Sequence, residues 1–332
     1  MLNDKDFIGY EKYTLDSFEF ESGEILKNVT VEFKAKGTPK YDENGVIENA
    51  IIFFHRYHGN YASLDEIYKF TGEGQPFDFN KYYIISISSL GFPQSSSPST
   101  TNLNNRFPEY NFRDMVNFKR QFLKERFGIE HVCGLISRGI GGYEVYTWAS
   151  EYPDEMDFII VSGSSYKTNG YRYVVSRCMD SIIESSDDFH EGVYSDSLSR
   201  VMVSLNKLLY SNYFSQGTLQ TLSNDEIDIL MEDFVDDGLF IDIYDFKYRN
   251  DAIMTYNVED KLGNIKAEAL VISSNNDMYY NLEFDILPLN DLLENVEILI
   301  VEPNNEYASY EEFPWIEDEL SSFMNRVENK KG

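Results

Sequence analysis

The order of apolar runs along the chain predicts an α/β fold, a mostly parallel, doubly wound sheet with a helical segment inserted between two of its strands. Three observations carry this. Short, continuous apolar runs recur, as strands covered on both faces require. Helical patterns separate them, as parallel pairing requires. Between about Asn169 and Lys247 the pattern turns purely helical, then a strong strand returns.

The elements follow in order. NVTVEFKAKG (28–37) alternates like an edge strand. NAIIFF (49–54), KYYIISIS (81–88), HVCGLIS (131–137), MDFIIVSG (156–163), AEALVISS (267–274) and VEILIVE (296–302) read as buried strands. FRDMVNFKRQFLKERFG (112–128) sets Met115, Phe118, Phe122 and Phe127 at helical spacing and ends in glycine. SSLGFPQSSSPSTTN (88–102) is rich in serine but follows a strand directly and reads as an ordered loop. YRYVVSRCMDSIIESS, SDSLSRVMVSLNKLLYSNYF and SNDEIDILMEDFVDD make up the helical insertion.

The 332 residues suit one large domain with a cap, and 24 Phe and 25 Tyr supply a large core. No apolar run reaches the about 18 residues of a membrane span. The polar start MLNDKDFIGYEKY predicts no secretion signal. Cys133 and Cys178 lie far apart and fit a reducing cytoplasm, with Cys133 in the core. A net charge of −29 disfavours nucleic-acid and membrane partners. EDFVDDG (232–238) and EEFPWIEDE (311–319) read as solvated faces and turns. No phosphate loop, complete dinucleotide fingerprint, zinc cluster or calcium loop is present, so no cofactor and no metal are expected.

ISRGIGGYEVYTWASEYPD (136–154) ends a strand, turns through glycines and opens a helix, the layout of a nucleophile elbow. Together with NAIIFFHRYHGN, SSLGFPQSSSPST and NVEDKLGNIKAEALVISSNNDMYY, in that family's order, the chain resembles the homoserine O-acetyltransferase branch of the α/β-hydrolase superfamily. The resemblance implies the α/β-hydrolase fold, with residues 1–168 and 251–332 as the core and 169–250 as a helical cap or lid. It also implies acyl transfer through a Ser–His–Asp triad, and a homodimer formed through the cap.

Carried over position by position, the triad is degenerate. Counting back from Trp148, Tyr152, Pro153 and Asp154, with Gly141 and Gly142 as the paired glycines, puts Gly139 in the nucleophile slot. Ser137 is the alternative nucleophile if the strand ends sooner. Asp277 follows its strand as the triad acid should. Glu306 stands where the resemblance implies histidine, and no histidine follows Asp277; the four are His55, His58, His131 and His190. The oxyanion donors are expected from the backbone of Tyr57 and Ile140. His55 and His58 are either structural or line the pocket, and His131 and His190 carry no role. Arg138 either points inward, toward Glu306 or Asp277, or lies on the surface. The family's carboxylate-binding cap arginine has no counterpart at Tyr210-Ser211. The expected protein is a pseudoenzyme that binds a small acyl or carboxylate ligand of unknown identity, or a protein partner. The alternative is an active acyltransferase or hydrolase using Ser137 or the Asp277/Glu306 pair.

Overall fold

The computed structural model describes residues 10–194, 198–238, 241–301 and 316–331. Eight strands form one sheet in the order β1-β2-β4-β3-β5-β6-β9-β10. β1 (Tyr10–Glu19) and β2 (Ile25–Gly37) pair antiparallel, as do β2 and β4 (Tyr83–Ile87). β3 (Ala50–Phe54), β5 (Val132–Arg138), β6 (Met156–Ser162), β9 (Glu268–Ser274) and β10 (Val296–Val301) extend the sheet in parallel with β4.

The expected edge strand is not at the edge. β2 lies inside the sheet and β1 covers it, closed by a tight turn with Gly23 at φ +84°. β1 turns only Leu15 and Phe18 inward and leaves its charged residues in water, where they discourage edge pairing. Lys12 on this edge reaches Glu32 of β2 at 2.5 Å.

Helices cover both faces. α1 (Phe112–Phe127) has a reciprocal N-cap between Asn111 and Asp114 and ends on Gly128 in the left-handed region at φ +69°. Its Met115, Phe118 and Phe122 pack with α2 (Gly141–Glu151) on one face of the sheet. α9 (Glu317–Lys331) and the 3-10 helix Tyr61–Phe70 cover the other face. Cys133 is buried and Cys178 exposed.

Between β6 and β9 the chain leaves the sheet. Here lie α3 (Gly170–Glu184), the two-residue strands β7 (Phe189–His190) and β8 (Val193–Tyr194), α4 (Leu198–Tyr210), α5 (Gln216–Thr221), α6 (Asn224–Gly238) and α7 (Ile243–Met254). Their apolar faces meet in a separate cluster that includes Met179, Ile183, Met202, Leu205, Ile243 and Phe246. The serine-rich loop ties this layer to the sheet. Asp245 of α7, fully buried, accepts from the Ser99 amide at 2.9 Å and from the hydroxyls of Ser97 and Ser99 at 3.1 and 2.5 Å. α8 (Leu289–Leu292) precedes β10.

Candidate active site

The turn from β5 into α2 carries Gly139 at φ +54°, a left-handed conformation that side chains adopt at a cost. Its amide donates to the Ser162 carbonyl at 2.9 Å, and its carbonyl accepts from Gly142 N–H at 3.0 Å. The two glycines that follow allow α2 to close on the sheet. A Cβ at Gly141 would stand 2.8 Å from the carbonyl oxygens of Phe54 and His55, and one at Gly142 would stand 2.4 Å from Ser164 Oγ. Ser137 is not in the turn. It lies within β5, paired in register with Phe54 and Val161, is 1% exposed, and donates its hydroxyl to the Ile160 carbonyl at 3.3 Å.

The loop after β3 is held from behind. His55 is buried, with Nε2 accepting from the Ser89 amide at 3.1 Å and Nδ1 meeting the Arg56 carbonyl at 2.9 Å. Acceptance at Nε2 makes Nδ1 the donor. Burial, with the charge of Lys119 added, pushes the imidazole down to about 3, so it stays neutral. His55 is thus a backbone clamp, with both ring nitrogens engaged and 1% of the residue exposed. Behind it, Ser89 Oγ donates to Glu144 Oε1 at 2.6 Å, and Lys119 Nζ donates to Ser89 Oγ and to Glu144 Oε2, the latter at 2.5 Å. This buried Lys119–Glu144 pair is absent from the sequence-based expectations. The signal was there: Lys119 falls on the same helical stripe as Met115, Phe118 and Phe122.

The next residues face the helical layer between β6 and β9. The Tyr57 carbonyl accepts from Arg249 Nη1 at 2.7 Å, and its phenol, sealed from solvent, has no hydrogen-bond partner among the described residues. The His58 ring reaches open space but is walled by Tyr57 and Phe234, at centroid distances of 5.0 and 6.1 Å.

Asp277 sits in the turn after β9. Its Oδ1 accepts from the amides of Tyr279 and Tyr280 at 2.8 and 2.9 Å, while Oδ2 is shielded and has no partner among the described residues. Desolvation, reinforced by Asp285, pushes this carboxyl up to about 7, outweighing the two amides that pull it down. Glu306 lies outside the described residues.

Arg138 does not turn toward α2. Its Nη1 meets Glu66 at 3.0 Å on the other face of the sheet, beside a cavity of about 270 Å³ lined by Ile67, Phe70, Ile136 and Ile160. His131 stands 3.5 Å from Asp157, half-exposed, and His190 lies in the β7–β8 hairpin, away from the turn. Two arginines of the helical layer also carry charge here. Arg249 is described above, and Arg172 of α3 stands over the Tyr279 ring at 5.2 Å. Neither has a local sequence signature. Among the described residues no group of His, Cys, Asp and Glu is arranged to hold a metal ion, and no helix is long and apolar enough to cross a membrane.

A glycine-lined strand-to-helix turn, an acid after a later strand, and a helical layer between β6 and β9 are the parts of an α/β hydrolase. The family model for the alpha/beta hydrolase fold matches residues 50–313. A "Probable acyltransferase" of Methanothermobacter thermautotrophicus is 37% identical over 306 residues, 90% of this chain and 94% of that one. Two solved structures share the fold. An acetylester hydrolase from Corynebacterium glutamicum superposes with a TM-score of 0.81 at 20% identity, covering 98% of this chain and all of that one (100%). A homoserine O-acetyltransferase from Bacillus anthracis superposes with a TM-score of 0.80 at 20% identity, covering 96% and 97%. The chain belongs to the α/β-hydrolase fold family, among relatives named for acyl transfer and ester hydrolysis.

Proposed function

We propose that this chain is a member of the family that keeps the binding cleft and lacks the covalent mechanism. The observation that carries the reading is Gly139, at φ +54° in the turn where acyl transfer needs a hydroxyl. Three others support it. Ser137 is engaged within the strand ladder. Both ring nitrogens of His55 are engaged by backbone. No histidine follows Asp277 in the sequence. The backbone of Tyr57 and Ile140 would supply oxyanion donors, and the cleft would bind a small acyl or carboxylate compound. A cytoplasmic setting and a second copy docked on the cap belong to the same reading. Exposed Tyr171, Tyr173 and Val174 on α3 favour the docked copy.

Asp277 favours a second reading. A carboxyl titrating near 7 has the basicity to draw a proton from water at neutral pH, alone or with Glu306. Intact-mass analysis after incubation with a fluorophosphonate, and separately with acetyl-CoA, decides against a covalent mechanism or for one. The expected result is no adduct on folded protein. A stoichiometric adduct mapped to Ser137 overturns the proposal.

A further inference from the structure

On the face of the sheet opposite α2, a cavity of about 270 Å³ lies between the strands, the 3-10 helix Tyr61–Phe70 and α9. Protein interiors pack with few voids larger than a water molecule, so one of this size inside a fold calls for a reason. Strand register sets its floor. Phe53, Ile136 and Ile160 stand side by side on β3, β5 and β6. Further along the same strands, Arg138, Ser162 and Ile272 form a second row on β5, β6 and β9. Ile67 and Phe70 of the 3-10 helix and Leu320 of α9 close it from above.

The two rows differ. The first is wholly apolar, and the second carries polar groups. Arg138 is joined to Glu66 on the rim, its Nη1 donating to Oε2 at 3.0 Å. Ser162 lies deeper. The residue is 5% exposed, and its hydroxyl has no hydrogen-bond partner among the described residues. Its backbone, by contrast, is engaged, the carbonyl accepting from the Gly139 amide at 2.9 Å. Ser137, also at this cavity, shows the usual solution for a buried hydroxyl, donating to the Ile160 carbonyl at 3.3 Å. A buried hydroxyl left without a partner costs free energy that folding ordinarily avoids.

We propose that this cavity is a binding site for a small, uncharged, mainly apolar alcohol, with Ser162 Oγ as the partner of its hydroxyl. Size sets the first limit. An apolar cavity of about 150 Å³ takes benzene, so in proportion one of about 270 Å³ takes on the order of ten heavy atoms. Charge sets the second. Glu66 repels a carboxylate, Arg138 repels an ammonium, and each already holds the other. A hydroxyl needs no counter-ion and can both donate to Ser162 and accept from it. The inference goes beyond the reading of the elbow and does not rest on it.

The test titrates the full chain by calorimetry with 2-phenylethanol, with its apolar analogue ethylbenzene and with its anionic analogue phenylacetate. 2-Phenylethanol is expected to bind, and phenylacetate at about tenfold excess is expected not to displace it. Ser162→Ala should weaken 2-phenylethanol by about 3- to 10-fold, the range of one neutral hydrogen bond, and leave ethylbenzene unchanged. Ile160→Phe, which fills the floor, should abolish binding of both. A crystal soaked with 4-bromophenethyl alcohol locates the site through the anomalous signal of bromine, expected between Ile160 and Leu320. That localisation stands even if the variants fail to fold. No binding of 2-phenylethanol by the wild type, displacement by phenylacetate, bromine found only elsewhere, or unchanged affinity in a folded Ser162→Ala or Ile160→Phe protein each overturns the proposal. A fluorophosphonate adduct would sink the reading of lost chemistry and leave this inference standing.

Discussion

Two polar regions flank the β3 loop, and they are built on opposite plans. Behind the loop, His55, Ser89, Glu144 and Lys119 form a closed set linked to one another and to backbone. In front, among the described residues, Tyr57 Oη and Asp277 Oδ2 are without hydrogen-bond partners, and Arg172 pairs with no carboxylate. The rear side chains are fully buried, whereas Tyr57 and Asp277 are half-buried. A closed network rigidifies the place where loop and helix meet. An open one is what a site retains when its partner is a ligand.

The largest effect is expected behind the loop. Lys119→Met leaves Glu144 buried and unpaired, which should cost about 3–5 kcal/mol. A urea-unfolding midpoint checks it. The double variant Lys119→Met, Glu144→Leu should recover most of that loss, because replacing both members of a buried pair by apolar groups is often neutral. A single variant within 1 kcal/mol of wild type, a small fraction of such a cost, would show that the closed network is not structural.

In front of the loop the pH dependence separates the regions. Asp277 titrates near 7 in the fold against 3.8 for a free aspartate. Between those values the folded chain holds a proton that the unfolded chain has lost, so stability falls as pH rises from about 4 to about 7. Above that window the penalty is constant. At about 1.4 kcal/mol per unit it is at most about 4 kcal/mol. Asp277→Asn removes it. The variant should therefore gain on wild type as pH is raised from 4 to 8, and the difference between the two unfolding curves cancels the other carboxylates. A pH-independent difference would mean that Asp277 is ionised throughout.

The contrast between the two regions also marks how far the sequence could be read. Strands buried on both faces were legible because a continuous apolar run needs no partner to be recognised; MDFIIVSG becomes β6 (Met156–Ser162). β1 was not, since YEKYTLDSFE buries only Leu15 and Phe18 and exposes its charges. The elbow was legible because its glycines are spaced by local geometry. The role of His55 was not, because its Nε2 partner is the Ser89 amide, 34 residues away. Arg172 and Arg249 were silent for the same reason: what marks them is burial with no ion pair to a described carboxylate, and that exists only in three dimensions.

The smallest stability effect, and the most informative about chemistry, is expected from Gly139→Ser. A side chain in the left-handed region costs roughly 1–2 kcal/mol. The hydroxyl alone should bring no fluorophosphonate adduct and no hydrolysis of p-nitrophenyl acetate, because a serine needs a base and neither nitrogen of His55 is free. Adding Glu306→His supplies an imidazole after Asp277 in the chain order that the triad follows. The double variant should then be labelled where each single variant is not. Labelling of Gly139→Ser alone would mean that a base already serves the turn, and the contrast between a closed rear and an open, unreactive front would fail on the front side.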